Sequence, residues 1–141
     1  MSQENVEVVQ ASFTAYGAGD MIAWGEWLAP DVVSRPPEGW PEPGPFVGRE
    51  AVVRQFEQQR DAFAADTVEF ISDYFVALDR VAFRFVWHGI GHGPETNLEM
   101  TGVYTIRKGK ILEMEFFWDH AEALETLGLS EQDAHASPES S

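Results

Sequence analysis

Asp119 follows Trp118 in the run Trp118-Asp119-His120-Ala121-Glu122, where a carboxylate closing an apolar segment could give and take a proton. The same residue opens a capping-box pattern, with Asp in place of Ser or Thr and Glu122 three positions on, so a helix cap is its competing role. His88 and Tyr104 complete the candidate catalytic set, one as an acid–base group and the other as a hydroxyl donor. Tyr16, Trp24, Arg35, Trp40 and Trp118 are the candidate ligand contacts. Aromatic rings offer apolar area with a polar edge, and a guanidinium could clamp a carboxylate. Arg35 could equally pair with Glu38 or Glu42 in the loop that follows it.

Other spacings exclude chemistry. His88 and His92 are four apart, which would pair them on a helix, but an extended strand separates them by about 13 Å. A metal site is therefore not expected, nor is a cofactor. Glu113 and Glu115 alternate onto the face of Phe117 and read as a solvated or partner-facing stripe. Gly89, Gly91 and Gly93 precede a proline instead of opening a helix, so they cradle no phosphate. The chain has no cysteine, which removes disulfides, thiolate ligands and a thiol nucleophile together.

These residues must be positioned by elements that the pattern predicts. Val6, Val9, Phe13 and Tyr16 recur at helical spacing, Gly17 and Gly19 end that helix, and Asp20 is placed to cap the next. The second helix carries Ile22, Trp24, Trp27 and Leu28 and is expected to stop at Pro30. Asp31 to Arg35 reads as a short strand. Pro36 to Pro45 holds five prolines and two glycines in ten residues, so it is a stiff loop, which could cover something with Trp40 at its middle or cross the surface with Trp40 packed on the core. Gly48 to about Ala64 returns to helical spacing through Val52, Phe56 and Phe63, with Gln and Arg on the opposite side.

Beyond it the period becomes two. Val68 to Leu78, Val81 to Gly91, Leu98 to Arg107 and Ile111 to Trp118 read as four strands joined by short turns, an antiparallel meander. Apolar residues occur on both faces, with Phe83, Phe85 and Trp87 on one and Val86 and Ile90 on the other. Such a sheet is expected to be covered twice, by helices on one face and by a partner chain on the other. A last short helix follows Asp119 and closes at Gly128, and the segment from Ser130 lacks large hydrophobes and reads as a disordered acidic tail.

The 141 residues fit one domain, residues 1–129, with 44% hydrophobic and 13% aromatic residues to build its core. Nine Lys and Arg against 24 Asp and Glu give a net charge of −15, which repels phosphate backbones and anionic headgroups. Nucleic acid and membrane are thus poor partners. No signal-peptide pattern or membrane-length apolar run appears, and a cytoplasmic protein is expected.

The order helix, short helix, strand, Pro-rich loop, helix and four strands resembles the NTF2-like superfamily, and within it the SnoaL-like branch. The matching stretches are Asn5-Val6-Glu7-Val8-Val9, Ala18-Gly19-Asp20 and Leu28-Ala29-Pro30-Asp31-Val32. They continue with Phe46-Val47-Gly48-Arg49-Glu50-Ala51-Val52, Arg107-Lys108-Gly109-Lys110-Ile111 and Trp118-Asp119-His120-Ala121-Glu122-Ala123-Leu124. The resemblance implies an α+β fold, a cone-shaped barrel whose curved antiparallel sheet wraps the N-terminal helices around an apolar pocket, often as a dimer.

It does not single out one reaction. Ketosteroid-isomerase-like members use a carboxylate before a proline and a tyrosine on the first helix, and here those places hold Arg35 and Ser12. Epoxide-hydrolase-like members use an Arg and an Asp two apart on a strand, but Val86 stands two beyond Arg84. SnoaL-type cyclases use an aspartate near the end of the last strand with a histidine on a preceding strand. Asp119 matches the first, and no histidine lies between His92 and His120 for the second. Two readings follow. One is a cofactor-free acid–base enzyme acting on a small hydrophobic substrate. The other is a non-catalytic module that binds a small hydrophobic molecule, or another copy of the chain through its sheet face.

Overall fold

The computed structural model describes residues 2–40, 42, 44–61, 65–72, 74–91 and 94–129. Helix α1 (Ser2–Gly17) is followed by α2 (Met21–Glu26), β1 (Leu28–Arg35), β2 (Phe46–Val47) and α3 (Arg49–Asp61). Then come β3 (Ala65–Phe70), β4 (Phe75–Ala77), β5 (Arg80–Ile90), β6 (Thr96–Arg107), β7 (Lys110–Phe117) and α4 (His120–Glu125). The strands form one curved, unclosed sheet in the order β2-β1-β7-β6-β5-β3, with β4 also on β5. All pairings are antiparallel except β1 with β7, which run parallel.

The α1–α2 corner shows how local sequence sets the helix angle. Gly19 takes φ +79°, a conformation open to glycine, and ends α1. Its N–H donates to Tyr16 O at 3.0 Å, and the Asp20 N–H donates to Ala15 O at 3.1 Å, the paired bonds of a Schellman motif. Asp20 then caps α2 by accepting from the Ala23 N–H at 3.0 Å. A six-residue helix has little stability of its own, so α2 depends on burying Trp24.

Two boundaries differ from the sequence reading. Leu28 and Pro30 belong to β1, not to the second helix, and the β1–β7 register shifts between Leu28 and Val33, where the exposed proline has no ladder bond to lose. The expected strand from Val68 to Leu78 is two strands, both on the same edge of β5. At the break, the Ser72 hydroxyl accepts from the Arg84 N–H at 2.8 Å, supplying the bond that a continuous strand would have made. The third helix is described over Arg49–Asp61. Its expected extension through Phe63 to Ala64, His92 and the expected tail from Ser130 lie outside the described residues.

The inner face of the sheet carries the main core. Val81, Phe83, Phe85 and Trp87 of β5 and Met100 and Tyr104 of β6 are buried against Val6, Val9 and Tyr16 of α1. Trp24 of α2 and Val52 of α3 close the same cluster. The outer face is covered in part by the chain itself. Ala123 and Leu124 of α4 pack with Phe75, Ala82 and Val103, at a place where a partner chain was expected. No described helix is long and apolar enough to cross a membrane.

Candidate functional site

A cavity lies between the inner sheet face and the helices, and every layer of the fold contributes to it. Phe13 and Tyr16 come from α1, Trp24 from α2, and Gln55, Phe56 and Gln59 from α3. The sheet adds Val68, Phe85, Trp87, Met100, Tyr104 and Phe116, while Pro36, Pro37 and Trp40 of the Pro-rich loop form its cover. The free volume is about 50 Å³, room for one or two water molecules. Ligand sites of drug size enclose roughly 300–1,000 Å³, so a larger guest needs the cover or the rings to move.

The rings hold one another at edges and tilts. Trp24 lies 4.9 Å from Phe56, Tyr104 meets Phe116 edge-on at 6.1 Å and 90°, and Phe85 meets Phe116 at 6.1 Å and 79°. The cover is a turn with a lock. The Trp40 N–H donates to Pro37 O at 3.1 Å, and Gly39 at φ +82° supplies the left-handed residue that a type II turn needs in third position. Trp40 then packs on Trp118, 6.2 Å between centroids, and the Trp118 indole N–H donates to Glu38 O at 2.7 Å.

Tyr16, Trp24, Trp40 and Tyr104 are therefore brought together around one space. Burial, reinforced by the neighbouring Tyr16 and Tyr74 phenols, pushes the Tyr104 hydroxyl above its ordinary pKa. Tyr104 can donate a hydrogen bond, but it stays protonated and cannot act as a base. Trp118 does not line the cavity; 45% exposed, it braces the cover from outside.

Three other candidates face elsewhere. Arg35 is exposed and its Nε donates to Glu113 Oε2 at 2.6 Å, on the outer sheet face. Strand parity decides this, because Ser34 beside it is fully buried and points inward. Asp119 caps α4, accepting from the Ala121 N–H at 2.9 Å and the Glu122 N–H at 3.3 Å. Asp119→Ala is expected to lower stability by about 1 kcal/mol through loss of the cap, read as a lower melting temperature. The cavity, built from other residues, should bind the same probes in that variant.

His88 also lies on the outer face, with Nδ1 hydrogen-bonded to Asn97 and Nε2 to Glu69 at 3.1 Å, and Glu95 3.8 Å from Nδ1, so that both nitrogens donate when the ring is protonated. The bonds to Asn97 and then Glu69 raise its pKa above 6.5. Because the folded value is the raised one, the stabilisation is present below pH 6.5 and fades as pH rises through the folded pKa. The expected observation is an NMR titration midpoint for His88 above 6.5. His88→Gln should then be less stable than the wild type at pH 6 and equal to it at pH 9.

The pattern missed Gln55 and Gln59. Both were assigned to the polar side of α3, yet they flank Phe56 one helical turn apart and reach the cavity. The available signal was that spacing beside an apolar position. Among the described lining residues there is no carboxylate, imidazole, ammonium or guanidinium. No described group of three His, Asp or Glu is gathered to hold a metal ion.

Comparison with known proteins agrees with this geometry. The family model for the SnoaL-like domain matches residues 9–114. This chain belongs to the SnoaL-like family. Its fold is shared with solved structures at low sequence identity. One is TerC co-crystallised with polyporic acid, 21% identical over 88% of this chain and 97% of that one, with a TM-score of 0.72. Another is RV0760c from Mycobacterium tuberculosis in complex with estradiol-17beta-hemisuccinate, 24% identical over 83% and 95% of the two chains, at 0.72. A third, an NTF2-like protein from Burkholderia pseudomallei, is 19% identical over 89% and 98%, at 0.73. These place the SnoaL-like chain in the NTF2-like fold. No curated protein matches the sequence.

Proposed function

We propose that this SnoaL-like protein is a non-catalytic binder of a small, uncharged, largely apolar molecule, held between Tyr104 and the Trp40 cover. The observation that carries this reading is the composition of the lining: aromatic and apolar side chains with two phenols and two amides, and no described acid–base pair. General acid–base catalysis needs a group that changes protonation near the working pH, and Tyr104 is displaced away from it. An organic anion would find no described cation in the cavity to offset its desolvation. Two similar structures were solved with small molecules, polyporic acid and estradiol-17beta-hemisuccinate, which supports binding as a use of this fold.

Native mass spectrometry of freshly purified protein, followed by a thermal-shift screen of polycyclic aromatics, ketones and hydrophobic acids, tests the reading. A neutral aromatic at a hundred times its dissociation constant is expected to raise the melting temperature by roughly 8 °C. Hydrophobic acids of the same size should give little shift. No shift from any neutral aromatic would overturn binding. Turnover of a bound compound that is lost in Tyr104→Phe would replace it with the enzymatic reading.

The same proposal includes a second copy of the chain against the outer sheet face beyond α4. There Val33, Val86 and Phe117 are half-buried among the Arg35–Glu113 and Arg84–Glu99 pairs. Light scattering should then give twice the chain mass.

A further inference from the structure

Gln55 differs from every other residue around the cavity. Its side-chain oxygen Oε1 is buried, and no group among the described residues hydrogen-bonds to it. The residue sits in the middle of α3, between Val52, which is fully buried in the core, and Gln59, which also lines the cavity. Its backbone is thus held while its amide borders the cavity. A buried amide oxygen without a protein donor is left to whatever occupies the cavity beside it, a water or a ligand that donates a hydrogen bond. Phe56 beside it, packed on Trp24 and on Phe116, keeps the surroundings apolar. The Tyr104 hydroxyl provides the complementary polar point, a hydrogen that burial keeps in place.

We infer that Gln55 is the polar recognition group of the cavity, and that its ligand is a neutral aromatic bearing a hydroxyl that donates to Gln55 Oε1. This deepens the binding reading above and rests on it. A protonated amine would also donate, but it would carry a charge that no described lining carboxylate balances. An apolar ring without a donor would fill space and leave the oxygen as it was. The hydroxyl satisfies the oxygen and adds no charge.

The test compares three probes of one shape, 2-naphthol, 2-methylnaphthalene and 2-methoxynaphthalene, on the wild type and on Gln55→Leu, by equilibrium dialysis at neutral pH. Leucine keeps the bulk of the side chain and removes both polar atoms. The substitution should weaken 2-naphthol about tenfold, equivalent to about 1.4 kcal/mol, and leave 2-methylnaphthalene and 2-methoxynaphthalene unchanged or tighter. The ligand-free variant should melt no lower than the wild type, because no described group donates to the oxygen that leucine removes. Equal effects on all three probes would overturn the inference, and so would a lower melting temperature, which would mean that Gln55 serves the fold. Selective weakening of 2-methoxynaphthalene would overturn it too, since Gln55 would then be presenting its N–H to an acceptor. If none of the three binds the wild type, the binding reading itself fails and takes the inference with it. If all bind and only the hydroxyl preference is missing, the reading stands and the inference falls.

Discussion

Replacing Phe83 by alanine is expected to lower the stability of the fold by about 4 kcal/mol, the largest effect of any single change considered. Phe83 is fully buried at the centre of the inner sheet face. Its ring lies 5.2 Å from Phe70 and from Tyr104, 5.4 Å from Phe13, and 5.6 and 5.8 Å from Tyr74 and Phe85. Truncation removes the transfer free energy of the ring and leaves a hole. Its neighbours are themselves packed ring against ring, edge-on or tilted, so they collapse poorly into it. Urea denaturation gives the measurement. With a slope of about 2 kcal/mol per molar, the midpoint should fall by about 2 M. Domains of this kind have about 5–15 kcal/mol in total, so a loss of this size takes up much of the margin, and Phe83→Leu provides a milder second reading at about 1–1.5 kcal/mol. A loss below about 1 kcal/mol for the alanine variant would show that the ring cluster relaxes freely and is not tightly packed.

Gly102→Val is expected to be the next most damaging change, at about 3 kcal/mol, and to weaken aromatic probes more than tenfold. Glycine inside a central strand is ordinarily unfavourable by about 0.5–1 kcal/mol relative to alanine, so its presence needs a reason. Here the reason is space. A Cβ at this position would stand 3.1 Å from Cε1 of Tyr104, 3.4 Å from Cε1 of Phe85 and 3.5 Å from Cε1 of Phe116. All three rings line the cavity. A branched side chain must push them, and rings that line the cavity are displaced at its expense. The propensity gained by valine in a strand is too small to offset that displacement. Gly102→Ala should lie between, near 1 kcal/mol. Thermal melting and 2-naphthol dialysis on the same preparations separate the two effects. A Gly102→Val protein as stable as the wild type would show that the floor of the cavity is soft.

Much of the local structure was legible in the residues. The stripe Val6, Val9, Phe13 and Tyr16, the break at Gly19, the caps at Asp20 and Asp119 and the alternation through Phe83, Phe85 and Trp87 each obey a short-range rule. Such rules depend on atoms within a turn or a pleat of one another, so sequence alone carries them. The Pro-rich segment was legible as a stiff loop for the same reason, since proline restricts its own backbone whatever lies nearby, but whether it covered a cavity or only crossed the surface was not.

What lies across the fold from each residue was decided by tertiary structure. Arg35 was a candidate for the cavity until pairing put Ser34 opposite Met114 on the inside and turned the guanidinium outward to Glu113. A one-residue slip in that register would have reversed the two. His88 faces away from the cavity for the same cause, opposite Asn97 on β6 and Thr67 on β3. Gln55 went the other way. It read as the polar side of a helix, and the docking angle of α3 turned it into an apolar space where its oxygen has no protein donor. The α4 helix covering Ala82 and Val103 could not be placed from its own residues either. Helix and strand periods are local, whereas the choice of which face meets which neighbour is a property of the assembled chain, and that choice made the site.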